Sequence, residues 1–338
     1  MAMTRANQRS IPYPYKLASA VVTFVGMFVA SMILGAADLS VQDVWMALTS
    51  SHTNDQILII REIRLPREIA AIVVGAALAV SGAIMQGLTR NPIADPGLLG
   101  LTAGASAALA VTLAFIPSAN YYALTIACFL GAAIGACMVF GIGAMRRGGF
   151  SPFRMVLAGA AVSAFLYAIA EGVGLYYRIS KDVSMWTAGG LVGTAWSQLQ
   201  IIVPFITVGI LVSLLLSRQL TILSLSEDVA VGLGQRIVLI KSVLFLIIII
   251  LAGSSVALVG NLAFVGLIVP HLARAIVGTD YRLIIPMSVV LGATLMLLAD
   301  TLGRTVNAPY ETPVAALVAI MGIPFFLFIV RRGGKALS

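Results

Sequence analysis

Ten long apolar runs decide what this chain can fold into. They fall near residues 17–36, 68–89, 98–116, 121–145, 154–177, 198–217, 237–258, 261–277, 283–302 and 313–330. A helix needs roughly 20 mostly apolar residues to cross the hydrocarbon of a bilayer, where every backbone polar group must be satisfied within the segment. The expected fold class is therefore all-α, a polytopic membrane protein of about ten transmembrane helices. One soluble core is excluded by composition: 60% of the 338 residues are hydrophobic and 10% are charged, against about 25% charged in soluble domains. Too little polar surface would remain to face water. No linker or low-complexity stretch breaks the pattern, so residues 1–338 read as a single transmembrane domain with a short N-terminal tail over 1–16. Gly35-Ala36-Ala37 has a cleavage-like spacing, but the first run exceeds the usual signal-peptide apolar region of about 7–15 residues and is read as a retained helix.

Ten spans bring both termini to one side. With that side cytoplasmic, fifteen of the 21 Lys and Arg residues lie inside and six outside, the asymmetry expected of membrane topology. The same count leaves REIRLPRE, Arg61 to Glu68, on the outer face, with three arginines where positive charge is normally sparse. The net charge of +8 is scattered over short loops, which disfavours a nucleic-acid surface. Cys128 and Cys137 fit no zinc or redox spacing and read as small apolar residues. Gly131 and Gly135, like Gly97, Gly100 and Gly104, suit close helix packing.

Breaks in the apolar pattern carry the functional reading. RNPIADPGLLG, Arg90 to Gly100, has two X-Pro steps that disfavour helix, so a bent cytoplasmic loop is expected, with Asp95 as an N-cap for the third span. LSLSEDVAVGLGQR, Leu223 to Arg236, is too polar to span. Ser226 can cap a short helix there, Glu227 and Asp228 suit its first turn, and Gly232 or Gly234 can end it. Val229, Ala230 and Leu233 would share an apolar side. The acidic polar face disfavours a helix lying on lipid and favours a protein partner. The third break, Val259 to Arg282, carries glycines, Pro270 and His271, as do helices interrupted beside a cavity. A lone histidine there reads as a packing residue, and no metal site is expected. Asp300 and Arg304 have i,i+4 spacing. Glu171 would cost about 2.5–3.5 kcal/mol at mid-membrane, and pathway lining, proton relay or a helix contact would each account for it.

RLPR at 64–67, SG at 81–82, Gln86, RNPIADPGLLG at 90–100, VGLIVPHLAR at 265–274, AD at 299–300, Arg304 and ETPV at 311–314 together resemble the iron-chelate and vitamin B12 permeases of type II ABC importers. The resemblance runs from about residue 15 to 330, and the family pattern usually has Leu at Ile93 and Gly at Ala315. It implies a ten-helix permease in a bacterial cytoplasmic membrane, multi-pass with both termini inside. Its implied partners are a second permease copy or paralogue, two ATPase subunits that bind ATP-Mg, and an extracytoplasmic substrate-binding protein. By motif match, Arg64, Arg67 and Arg304 would contact glutamates of the binding protein, with Arg61 an additional positive beside them. Ser226, Glu227, Asp228, Val229, Ala230, Gly232, Leu233 and Gly234 would form the coupling helix, about 226–234, that enters a cleft on the ATPase. Asn91 and Ile93, and by position Pro152 and Phe153, would form the cytoplasmic gate.

The chain has no G-x-x-x-x-G-K-[ST], so no cofactor is expected in it and ATP belongs to its partners. No HExxH or GxSxG appears, and no catalytic residue is expected. The expected cargo is a ferric siderophore or related iron chelate, with vitamin B12 or haem as alternatives. A proton-coupled secondary transporter using Glu171 and Asp300 is the rival mechanism.

Overall fold

A computed structural model describes residues 11–35, 40–50, 54–144, 152–308 and 310–333. All ten apolar runs form helices: α1 (Tyr13–Ile33), then, after the short helices α2 (Val41–Thr49) and α3 (Asp55–Ile59), α4 (Leu65–Thr89), α5 (Leu101–Phe115), α6 (Tyr121–Ala144), α7 (Pro152–Tyr176) and, beyond α8 (Ser180–Thr187), α9 (Trp196–Leu215). Two short helices follow, α10 (Ser217–Leu225) and α11 (Glu227–Gly232), and the last four long ones are α12 (Ile237–Val259), α13 (Val265–Val277), α14 (Tyr281–Thr305) and α15 (Val314–Gly333). Among the described residues, seven helices are long and apolar enough to cross a membrane, and α5, α13 and α15 are shorter apolar helices.

α4 forms the axis of the bundle. From Pro66 to Leu88 nearly every side chain is buried, against α14, α12 and α13 on different sides. Small residues permit this. A Cβ on Gly75 would overlap the Gly292 carbonyl of α14, and one on Gly82 would overlap the Gly266 carbonyl of α13, so the backbones meet directly. Such contact replaces the hydrophobic drive that lipid does not supply. Gly104 and Gly131 join α5 to α6 in the same way. By contrast α1 is largely exposed along its length, and large apolar side chains such as Leu130, Phe165 and Leu211 face outward, as a protein surrounded by hydrocarbon requires.

Several boundaries depart from the sequence reading. α1 begins at Tyr13, behind Pro12, so it takes in part of the expected tail 1–16, whose first ten residues lie outside the described ones. α4 continues backward through a π turn at Ile60–Arg64 into α3, making one helix over 55–89. Asp95 caps the 3₁₀ turn Pro96–Leu99, accepting from Gly97 N at 2.6 Å, rather than the third span itself. Gly100, at φ 72°, separates that turn from α5. α13 has 13 residues, about 20 Å of helix at 1.5 Å per residue, too short for hydrocarbon about 30 Å thick. The irregular segment 260–264, with Phe264 left-handed at φ 68°, leads into it from α12.

Candidate functional site

At the end of the bundle where α2, α3 and the π turn meet, the arginines singled out by sequence come together, but their head groups turn toward the protein. Ile60–Arg64 form a π turn, a feature frequent at functional sites. Arg61 donates from Nε to Ala47 O at 2.8 Å and also to Ser50 O, which ties α2 to the turn. Arg64 donates to the last carbonyls of α1, Ile33 O at 3.2 Å and Met32 O among them. Arg67 meets Asp300 at 2.8 Å and Glu311 at 2.8 Å. Arg304 donates to Glu68 Oε1 at 2.6 Å, and its Nε lies 2.9 Å from Asp300 Oδ2 without hydrogen-bond geometry. Ser31 of α1 donates to the other Glu68 oxygen.

Asp300 and Glu68 are fully buried, Arg64, Arg67 and Arg304 are 6–8% exposed, and the Glu311 side chain is 41% exposed. Arg67 and Arg304 thus meet three carboxylates, Arg64 is held by backbone carbonyls, and the formal charges of the three arginines and three carboxylates balance. Buried charges persist when paired and hydrogen-bonded in this way. The i,i+4 pair read from the sequence is present, but it is one edge of a network joining α1, α4, α14 and the loop before α15. Glu68 and Glu311 are the members that sequence reading missed. Glu68 sits next to Arg67 in the chain but bonds Arg304, 236 positions away.

Below this network lies a cavity of about 620 Å³. α4, α5, α7, α12, α13 and the segment 261–264 line it, with Phe326 of α15 on one side. The broken stretch Val259 to Arg282 therefore does line a cavity, through Asn261, Leu262, Ala263 and Phe264. Asn91 and Ile93 line the same cavity at the end where α4 turns into the loop. Asn91 accepts from Ile93 N at 3.1 Å, which tightens the turn, and Ile93 is 39% exposed. Burial raises the Asp95 carboxyl above the usual range, opposed by the Gly97 N–H. Tyr167, Ser163 and Asn261 add polar atoms to a mainly apolar wall, and no Lys or Arg lines it among the described residues. Tyr167 and Ser163 carried no recognisable signal beyond their place in an apolar run. Pro152 and Phe153 begin α7, but their side chains lie outside the described residues.

At the opposite end of the bundle, Ser226 caps α11 by accepting from Val229 N at 3.0 Å. Gly234, at φ 75°, ends it, and Gln235 N donates back to Ala230 O at 2.9 Å, a Schellman closure. The expected shared apolar side of Val229, Ala230 and Leu233 is split. Ala230 is fully buried, facing the packed α10 and α12, while Val229, Val231 and Leu233 are exposed. A six-residue helix gives only two turns, and the small Ala230 takes the inward position. Asp228 and Gly232 are exposed, and Glu227 is half-buried.

The remaining polar residues have packing roles or face outward. His271 stands edge-on to Phe325 at 5.7 Å between ring centres. No group of metal-ligating side chains occurs among the described residues. Glu171 is exposed on α7, on a different helix from the sealed Asp300.

Comparison with known proteins agrees with this arrangement. Residues 22–332 match the FecCD transport family. The chain is 45% identical over 310 residues to the iron(3+)-hydroxamate import system permease protein FhuB of Bacillus subtilis, covering 91% of this chain and 80% of the relative. It is 39% identical over 323 residues to the hemin transport system permease protein HmuU of Yersinia pestis, covering 92% and 93%. A solved structure described as an inward-facing metal-chelate type ABC transporter superimposes with a TM-score of 0.82 at 28% identity, over 95% of this chain and 100% of that one. An all-helical bundle with an internal cavity, matched along nearly its whole length, makes this chain a member of the FecCD transport family.

Proposed function

We propose that the chain is the membrane permease of an ABC importer that moves a ferric siderophore or related iron chelate into the cytoplasm. One observation carries the reading: an apolar cavity between the helices ends at the loop Asn91–Ile93, beside a short helix that presents Val229, Val231 and Leu233 to solvent. A transport path must hold its cargo weakly enough to release it, and a wall with few charges suits a chelate that is passed on. The exposed apolar tip of α11 suits a cleft on an ATPase, and residues 226–234 are assigned that docking role. Two such subunits would bind ATP-Mg and drive two copies of this permease, or this chain and a paralogue, between outward and inward access. Asn91 and Ile93, with Pro152 and Phe153 at the start of α7, are assigned the cytoplasmic gate.

A soluble binding protein would deliver cargo to the opposite end. Arg61, Arg64, Arg67 and Arg304 are assigned to that docking surface, with both termini cytoplasmic. The inward pairing of their head groups means that they first shape the platform; a docking carboxylate reaches Arg67 most readily at the half-exposed Glu311. Hemin is the second cargo reading, favoured by the Yersinia relative. A proton relay through Asp300 is disfavoured, because Arg67 and Arg304 both hold that carboxylate.

Proteoliposomes holding the permease, its ATPase and its binding protein provide the test. ATP-dependent uptake of iron-loaded hydroxamate supports the proposal, with unlabelled hemin as competitor to separate the two cargoes. Uptake that persists without the ATPase and collapses with a proton gradient overturns it.

A further inference from the structure

At the inner end, three segments far apart in sequence converge on one carboxylate. Glu227, the first residue of α11, accepts from Lys241 Nζ at 2.7 Å and from Arg90 Nη2 at 3.3 Å, both at Oε1. Arg90 is the residue immediately before Asn91. It is also the left-handed cap of α4, at φ 50° and ψ 33°, where the axial helix turns into the loop. Asn91 N donates back to Gln86 O at 3.2 Å, so the loop leaves the helix at a fixed angle. Lys241 lies in the second turn of α12, its side chain 11% exposed. A second, small cavity is lined by Arg90, Glu227, Lys241 and Phe245, together with Met155, two residues beyond Phe153. Met85, Thr89 and Met155 line both this pocket and the large cavity, so only a side-chain layer separates them.

We infer that Glu227 is the positioning residue through which α11 sets the loop 91–97. Its carboxylate touches no cargo; it holds Arg90 on one side and Lys241 on the other, and so fixes where α4 ends. The physical requirement is a stiff short path. α11 cannot move relative to α12 without dragging the oxygen that Arg90 shares, and Arg90 is one peptide unit from Asn91. Backbone packing alone gives a weaker link, since Ala230 is the single buried residue of α11. The Arg90 pair is partly exposed, with side chains 43% and 42% accessible, so its effect on overall stability is small, roughly 0–1 kcal/mol. Its effect on the loop is larger because it acts at the cap from which the loop departs. The inference rests on the reading of α11 as the ATPase-docking helix, which assigns the motion a purpose. The linkage itself is a property of this chain alone.

The test uses the full-length permease in nanodiscs, with Cys128→Ala and Cys137→Ser and an Ile93→Cys reporter. A hydrophilic maleimide measures how fast position 93 reacts. Glu227→Gln is expected to change that rate roughly two- to fivefold, the range a partly exposed ion pair can set. Arg90→Gln should change the rate in the same direction, and the double variant should change it no more than Glu227→Gln alone, since Glu227→Gln already removes the Arg90 contact along with that of Lys241. Glu227→Asp should restore part of the original rate. Arg282→Gln, which removes an inner-face charge paired with Asp280 at 2.7 Å, is the control and should leave the rate unaltered. The inference is overturned if Glu227→Gln leaves the rate unchanged, if Arg90→Gln does not change it in the same direction, or if the two changes add. Failure of the docking reading would appear elsewhere, as an ATPase that still copurifies with Val231→Asp or Leu233→Asp variants.

Discussion

Asp300 gives the sharpest perturbation of the arginine–carboxylate network. Its carboxylate is fully buried and meets Arg67 through Nε at 2.9 Å and Nη2 at 2.8 Å, with Arg304 Nε 2.9 Å away. Asp300→Leu leaves two buried guanidinium groups with Glu68 and the half-exposed Glu311 as their remaining carboxylate partners. Removing one member of a buried ion pair costs about 3–5 kcal/mol, because the surviving charge keeps its desolvation penalty. At roughly 2 °C per kcal/mol for a chain of this size, thermal unfolding should fall by about 6–10 °C. The companion variant Asp300→Leu with Arg67→Met removes one positive and one negative charge together. Arg304 keeps Glu68, and Glu311 can take water. That pair should recover most of the loss, since apolar replacement of a buried ion pair is often neutral or better. A thiol-reactive fluorophore provides the assay. With Cys137→Ser in place, Cys128 is buried in α6 and reacts on unfolding. If the single variant melts within about 2 °C of the parent, or if the double variant is worse than the single, the network does not stabilise the fold as argued.

Three further outcomes follow from named contacts. Gly82→Ala should lower the melting point by several degrees, because its Cβ meets the Gly266 backbone, whereas Gly26→Ala, with nothing within 4 Å, should leave it unchanged; the same unfolding assay reads both. Leu233→Asp should abolish copurification of the ATPase with no change in melting, since Leu233 is 64% exposed and α11 is held from its other side. Glu311→Gln should raise the on-rate of an acidic-lobed binding protein at low salt, with the gain fading as ionic strength rises, because one counter-charge to Arg67 is gone. Stopped-flow fluorescence at two salt concentrations measures it, and a slower on-rate would show that Glu311 helps docking.

The sequence revealed the architecture because lipid imposes a one-dimensional rule. Each span must be apolar for about 20 residues, and each of the ten runs became a helix. The cap of α11 was legible for a similar reason, since Ser226, the acidic first turn and Gly234 act within eight positions. Ser40 and Asp43 formed an equally local capping box that would have located α2. What could not be read was pairing across distance. Nothing local joins Glu68 to Arg304 or Arg90 to Glu227; those contacts exist because glycine seams bring α4 against α14 and the chain folds α11 beneath it. For the same reason, RLPR looked like an exposed positive rim. The carboxylates that pair with Arg67 come from α14 and the loop before α15, more than 230 residues away.

The account depends most on which end of the bundle faces out. Ile63, in the π turn beside the arginines, is 61% exposed, and Val231 at the tip of α11 is 62% exposed. In a background lacking Cys128 and Cys137, Ile63→Cys and Val231→Cys can be probed with an impermeant maleimide on intact spheroplasts. Position 63 should label at once and position 231 only after the membrane is opened. Labelling of position 231 from outside, with position 63 protected, would contradict the account.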